Sequence, residues 1–245
     1  MRPRQHVAGQ AAWVLHTLPW RETSLIVEVF AREYGRVALV AKGARRPMSA
    51  LRGVLMAFQP LLLDWSGGGE VKTLIRGEWR GGQPLLTGHA LLCAYYLNEL
   101  LLRLTAREDP HPALFDTYES AMAAMGRGEP LPVLLRRFEL ALLRELGYGA
   151  MLDGDEDGRP IRPDQPYRYI IEHGPRACTG DAAQPAEADE GVPVGGQTLL
   201  DLAVGDYSRA TTLAEAKRLL RVLINHHLGG QPLQSRRVLQ ELQEL

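Results

Sequence analysis

The stretch VAKGARRPMSALRG, residues 40–53, places Lys42, Arg45, Arg46 and Arg52 in one short segment, and no acid lies between Glu33 and Asp64. Residues grouped this way bind anions: a guanidinium grips phosphate or carboxylate oxygens through paired N–H donors, and an ammonium acts as a point charge. The grouping is not the by-product of a basic chain, because the formal net charge is -1. Residues 1–85 hold twelve Lys and Arg against six Asp and Glu, whereas residues 151–208 hold four against twelve. The first segment is suited to a polyanion, and the acidic one repels it.

Other residue patterns carry less. There is no GxxxxGK[ST] loop, no GxGxxG, no GxSxG and no HExxH, and no nucleophile-and-base arrangement is recognisable, so an enzyme is not expected and no cofactor is implied. Cys93 and Cys178 form no CxxC pair, so neither a disulfide framework nor a cysteine zinc site follows, and Cys93 reads as core. His226 and His227 are adjacent and cannot bind one metal from one helix face, and His227 reads as a packed core residue. DGDEDGRPIRPD sets Asp153, Asp155, Asp157, Gly158 and Asp164 at positions 1, 3, 5, 6 and 12 of a calcium loop. Pro160 and Pro163 interrupt that loop, and a strand pattern follows it where an exiting helix is required, so a solvated acidic loop is expected. A small-ligand or calcium-dependent enzyme built around residues 153–164 is the alternative reading.

The elements that must position these residues fall into two patterns. AAWVLHTL, SLIVEVFAR, GRVALVAK, AFQPLLLDW and EVKTLIRGEWR are five short strand-like segments, with a helical turn possible between the third and fourth. Five strands in so short a span fit a closed barrel of the OB type over residues 1–82. From residue 83 to 245 the period changes to three and four, predicting helices in TGHALLCAYYLNELLLRL, HPALFDTYESAMAAM and LPVLLRRFELALLREL. An irregular acidic region follows at 151–196, with a strand at YRYIIEHG, and then helices over 198–245. Thr212 and Glu215 fit a capping box, and Ser235 an N-cap. The fold class expected is α+β, a barrel followed by a mostly helical domain. No run is apolar enough to cross a membrane as a helix and the N-terminus lacks a signal-peptide core, so a cytoplasmic protein is expected.

Nucleic acid is the polyanion best matched. All four tryptophans, Trp13, Trp20, Trp65 and Trp79, lie in the basic N-terminal part with Phe30, Tyr34 and Phe58. OB barrels bind single strands by pairing a positive groove with exposed rings, and one or two of these seven are expected to be free for stacking. Lys72, Arg76 and Arg80 occupy alternating positions and are expected on one strand face, joining Lys42, Arg45, Arg46 and Arg52 as DNA contacts. Lys217, Arg218, Arg221, Arg236 and Arg237 add a basic C-terminal group.

VLHTLPWRETSLIVEVF, GRVALVAKGAR, NELLLRL, RRFELALLRELGYG and the closing LGGQPLQSR, in this order, resemble the RecO family of bacterial recombination mediators. The resemblance implies an OB domain, a helical domain, binding of single- and double-stranded DNA, strand annealing, work with RecR, and help for RecA on DNA coated by the single-strand-binding protein SSB. It implies no hydrolase. Two departures stand out: the four-cysteine zinc module of some members is missing here, so no metal is carried over, and the lysines of the terminal KPLKSR motif are replaced in QPLQSRR. The acidic C-terminal tail of SSB docks on the helical domain in this family. In LLRRFELALLREL, Leu140 and Leu143 fall on the face carrying Arg136 and Arg144, which as apolar surface beside guanidinium groups suits such a tail; the alternative for a helix so apolar all round is that both leucines pack against the barrel or another helix.

Overall fold

A computed structural model describes residues 5–148, 152, 154–178 and 191–243. The N-terminal strands are β1 (Gln5–Trp20), β2 (Ser24–Ala31), β3 (Gly35–Ala41), β4 (Pro60–Gly67) and β5 (Val71–Trp79), with a short helix α1 (Ala50–Val54) between β3 and β4. They close into a barrel in the order β1-β2-β3-β5-β4, antiparallel except for the parallel pairing of β3 with β5. This is the OB arrangement that the sequence predicts. Alternation sets its interior: Leu25, Val27, Val29 and Ala31 of β2 face in with Val37, Leu39 and Ala41 of β3, while Leu61, Leu63 and Trp65 arrive from β4.

β1 closes the barrel because it bends. One half pairs with β4 and the other with β2, and its register shifts at two places, between Val7 and Gln10 and between Val14 and His16. Gly9 takes the positive φ of 64° at the first shift, and its N–H donates to Asp64 Oδ1 at 2.6 Å.

Three helices follow: α2 (Gly88–Leu104), α3 (Pro112–Gly126) and α4 (Leu131–Glu145). The chain divides into two compact units, residues 1–131 with 233–245, and residues 132–232. The first unit thus holds α2, α3 and a C-terminal helix α7 (Gln234–Gln243) together with the barrel. α2 and α3 cover one outer side of the barrel. Trp13 meets Tyr118 edge-on at 5.6 Å, Phe30 lies 5.5 Å from Phe115, and Phe58 meets Tyr95 at 4.8 Å. The buried Asn98 amide donates to the carbonyls of Val14 and Leu15 at 3.3 and 3.0 Å, where the β1 register shift leaves them unmatched, and it accepts the Tyr118 hydroxyl at 2.6 Å. Gly35 is required by close approach, since a Cβ there would sit 1.8 Å from the Asp109 carbonyl oxygen.

The second unit corrects the expected irregularity of the acidic region. β6 (Pro166–Ile170) pairs on one side with β7 (Gly174–Ala177) and on the other with β8 (Val192–Gly195), and the helices α5 (Gly196–Val204) and α6 (Ala210–His227) follow. Strands this short, of four or five residues, leave little periodicity to read. The capping box is also corrected. α6 starts at Ala210, so Thr212 lies inside it and donates its hydroxyl to Asp201, while Glu215 accepts the Gly195 N–H at 2.9 Å. α7 is capped from α2 instead of by Ser235 alone: the Glu99 carboxylate accepts the N–H groups of Gln234 and Ser235, each at 2.9 Å, and the Ser235 hydroxyl at 2.7 Å. Burial by itself raises the Glu99 carboxyl, but these hydrogen bonds and Arg103 outweigh it and hold the group below the usual carboxylate range.

Candidate nucleic-acid interface

Residues 21–23 join β1 to β2, and residues 42–49 join β3 to α1. These two connections meet: the Arg45 N–H donates to the Thr23 carbonyl at 2.9 Å, and its guanidinium reaches the carbonyls of Arg21 and Glu22 at 3.4 and 3.3 Å. Lys42, Arg45 and Arg46 are exposed, as the sequence predicts for a connection punctuated by glycine and proline, and Arg52, which lies in the short helix α1, is exposed as well. Arg21, which the sequence reading missed, adds a fifth positive charge and lies 5.9 Å from the centre of the Trp20 ring. The sequence signalled only a polar turn between two strand patterns; its nearness to the basic segment, two strands further on, comes from the fold.

The outer face of β1 and β2 leads to this patch. Leu18 pairs across to Ile26 and Trp20 to Ser24, and Ile26 pairs on to Val40. Leu18 and Trp20 are 50% and 45% exposed, which makes a partly apolar sheet surface ending in positive charge. Of the seven aromatic rings considered from sequence, Trp20 and Trp79 are exposed, Tyr34 is half-buried, and Trp13, Trp65, Phe30 and Phe58 are buried. Trp79 is the less free of the two, since its indole N–H donates to Gln59 at 2.9 Å.

The remaining barrel residues divide from this group. The expectation that Lys72, Arg76 and Arg80 share one face fails because β5 shifts register between its pairs at Leu74 and Arg76, which turns the face over. Lys72 points inward at 7% exposure, its ammonium ion-paired with Glu108. Arg76 pairs with Glu78, and Arg80 with Glu119 at 2.8 Å. Arg32 holds Asp116 through two parallel hydrogen bonds of 2.8 Å, and Arg107 pairs with Glu28. The Arg32 bonds keep the Asp116 carboxyl below its usual range. Arg36 is pushed the opposite way from Arg32, its guanidinium lowered by burial while it donates to the Leu102 carbonyl. A hollow lined by Gly68, Gly69, Glu70, Arg107 and Glu108 mixes both signs and offers no excess for phosphate. Among the described residues of the barrel and its connections, Arg21, Lys42, Arg45, Arg46 and Arg52 are the exposed cations without a carboxylate partner.

The other expected sites change more. Lys217, Arg218 and Arg221 are exposed on α6, in the second compact unit, and Arg218 lies 3.7 Å from Glu215. Arg236 stacks on Tyr96 at 5.4 Å and donates to its hydroxyl at 3.2 Å, so its charge serves to seat α7 on α2. Arg237 is exposed on α7. On α4 the expected surface of leucines does not exist: Leu140 and Leu143 are 3% and 0% exposed. Arg136 is nearly buried and pairs at 2.6 Å with Glu139, three residues on, because two polar groups taken out of water must satisfy each other. Only Arg144 of that set is exposed.

The described aspartates of the calcium-like loop are engaged within it. Asp155 Oδ1 accepts the N–H groups of Asp157 and Arg159 at 3.1 and 2.8 Å, closing a turn. Asp157 pairs with Arg159 at 2.7 Å and Asp164 lies 3.5 Å from Arg162, and Asp153 falls outside the described residues. No group of three or more His, Cys, Asp or Glu among described residues could hold a metal ion. His227 is half-buried and stacks on Tyr148 at 3.8 Å instead of lying in the core, because it occupies the last turn of α6. Burial and the neighbouring His226 lower its pKa. Cys93 is likewise only half-buried.

The family model for the N-terminal part of recombination protein O matches residues 7–82, and that for its C-terminal part matches residues 85–237. The chain belongs to the RecO family. Relatives named DNA repair protein RecO from Aromatoleum aromaticum and from an Azoarcus species are 69% and 68% identical, each over the whole of both chains. One from Ralstonia nicotianae is 50% identical over all of this chain and 88% of its own. RecO is thus a family of DNA repair proteins, and the basic patch lies within the part matched as the RecO N-terminal domain.

Proposed function

We propose that this member of the RecO family binds single- and double-stranded DNA with the open face of its barrel, anneals complementary strands and helps load RecA onto SSB-coated DNA. One observation carries the reading: four exposed positive charges without carboxylate partners, Arg21, Lys42, Arg45 and Arg46, gather in two connections that touch, with Arg52 on the short helix that follows, at the end of a sheet surface bearing the exposed Trp20. Phosphates neutralise those charges while a base stacks on the ring, and the partly apolar strand surface accepts unpaired bases that a duplex keeps hidden. Neutralising two strands at once lowers the repulsion that keeps them apart, which is what annealing requires. Five single-strand phosphate contacts give a log–log salt slope near about -3.5. Little sequence preference follows from such contacts.

The reading makes the protein a binding factor and not an enzyme, working in the bacterial cytoplasm on nucleoid DNA together with RecR. Its contact with the acidic SSB tail is assigned to the helical part, where Arg144 is exposed on α4 and Arg136 is not available. The test is annealing of SSB-coated complementary oligonucleotides with and without the protein. Acceleration that fades as salt rises is expected; no acceleration at any salt sinks the proposal.

A further inference from the structure

The connection from β3 to α1 contains one residue that phosphate binding does not explain. Met48 is 96% exposed, higher than any other large apolar side chain described. It stands at the tip of a tight turn in which the Ser49 N–H donates to the Arg46 carbonyl at 3.1 Å, with Pro47 and Met48 between them. Proline in the second position of such a turn fixes its φ in advance.

The base of the turn is equally constrained. Ala44 is 1% exposed and packs into the barrel core, the Arg45 N–H holds the Thr23 carbonyl at 2.9 Å, and the Arg46 N–H closes on Gly43 at 3.0 Å. The Pro47–Met48 tip is therefore carried on an ordered support, with Arg45 and Arg46 directly before it and Arg52 four residues after. A turn that had only to be soluble would carry a polar residue at its tip. Proteins that deform DNA use this combination: an apolar wedge, often Met or Pro, enters between two bases while positive groups beside it hold the phosphates. Methionine suits the task because its unbranched, polarizable side chain fits irregular gaps.

We propose that the Pro47–Met48 tip is a wedge that enters the base stack of bound DNA where duplex meets single strand, with Arg45 and Arg46 holding the flanking phosphates. The inference rests on the DNA-binding reading above. The junction is the preferred place because Trp20 and Arg21, tied to the same connection through Thr23, offer the neighbouring surface to unpaired bases. Opening a step also costs least at the last pair, which is stacked on only one side.

The experiment uses the purified full chain and a forked duplex carrying 2-aminopurine in its last pair, whose fluorescence rises when the base unstacks. Wild type and Met48→Leu are expected to raise the fluorescence on binding. Met48→Ala is expected to bind within about fivefold of wild type and leave the fluorescence at the level of free DNA. An equal rise with Met48→Ala overturns the wedge and leaves the DNA-binding reading standing. Failure of the wild type to bind the fork overturns both.

Discussion

β1 carries two tryptophans, Trp13 and Trp20, on the outer face of the same strand. Trp13 is 1% exposed under α2 and α3, against Tyr118; Trp20 is 45% exposed beside Arg21. The charges around them divide in the same way. On the covered side each arginine or lysine meets an acid or a carbonyl supplied by the segment from α2 to α3: Arg32 with Asp116, Lys72 with Glu108, Arg80 with Glu119, and Arg36 with the Leu102 carbonyl. On the open side no acid from that segment arrives. The barrel does not differ in kind between its two sides; the helices decide which of its cations and rings stay available. Unpaired positive charge is left on this barrel as much by withholding partners as by supplying cations.

Three substitutions test that division, in order of decreasing effect. Trp13→Ala removes a filled position between barrel and helices and is expected to cost about 3–5 kcal/mol of stability, read from the denaturant midpoint. A loss below about 1 kcal/mol would show that α2 and α3 do not seal that side. Replacing Lys42, Arg45 and Arg46 together by Ala is expected to leave the melting temperature within a few degrees and to lower single-strand affinity by about a hundredfold at moderate salt. Its salt slope should flatten by about 2, the share of three phosphate contacts. Unchanged binding would move the interface elsewhere. Trp20→Ala is expected to keep the fold and lose about tenfold in single-strand affinity, the equivalent of one stacked base, while the salt slope stays as in the wild type. A slope that changes as well would mean that the ring acts by positioning Arg21 and not by stacking.

Much of this was legible in the chain. Alternation marked the five strands and their inward residues, and the change of period marked the helices, because burial on one face leaves its repeat in the sequence. The exposure of Lys42, Arg45 and Arg46 followed from a segment with glycine, proline and no acid. What failed did so for identifiable reasons. Lys72 and Arg76 were placed on one face by counting in twos, and a single register shift in β5 separated them. Leu140 and Leu143 looked surplus to a core stripe, but α4 is buried on most of its circumference. Thr212 and Ser235 were read as local caps, whereas Asp201 and Glu99, 11 and 136 residues away, are their partners.

The sequence alone determined that a closed barrel would form at the N-terminus and that a cluster of cations would sit in one of its connections, since periodicity and local charge are properties of neighbouring residues. Which cations remain free to meet phosphate was decided only in three dimensions. Lys72 and Arg80 are as basic as Arg45 and Arg46, but their neutralising acids come from residues 36 and 39 positions along the chain, and Arg32, beside its neighbour Glu33, also holds Asp116 from 84 positions along. No local pattern encodes pairings at that distance, because they depend on how the helices close over the barrel.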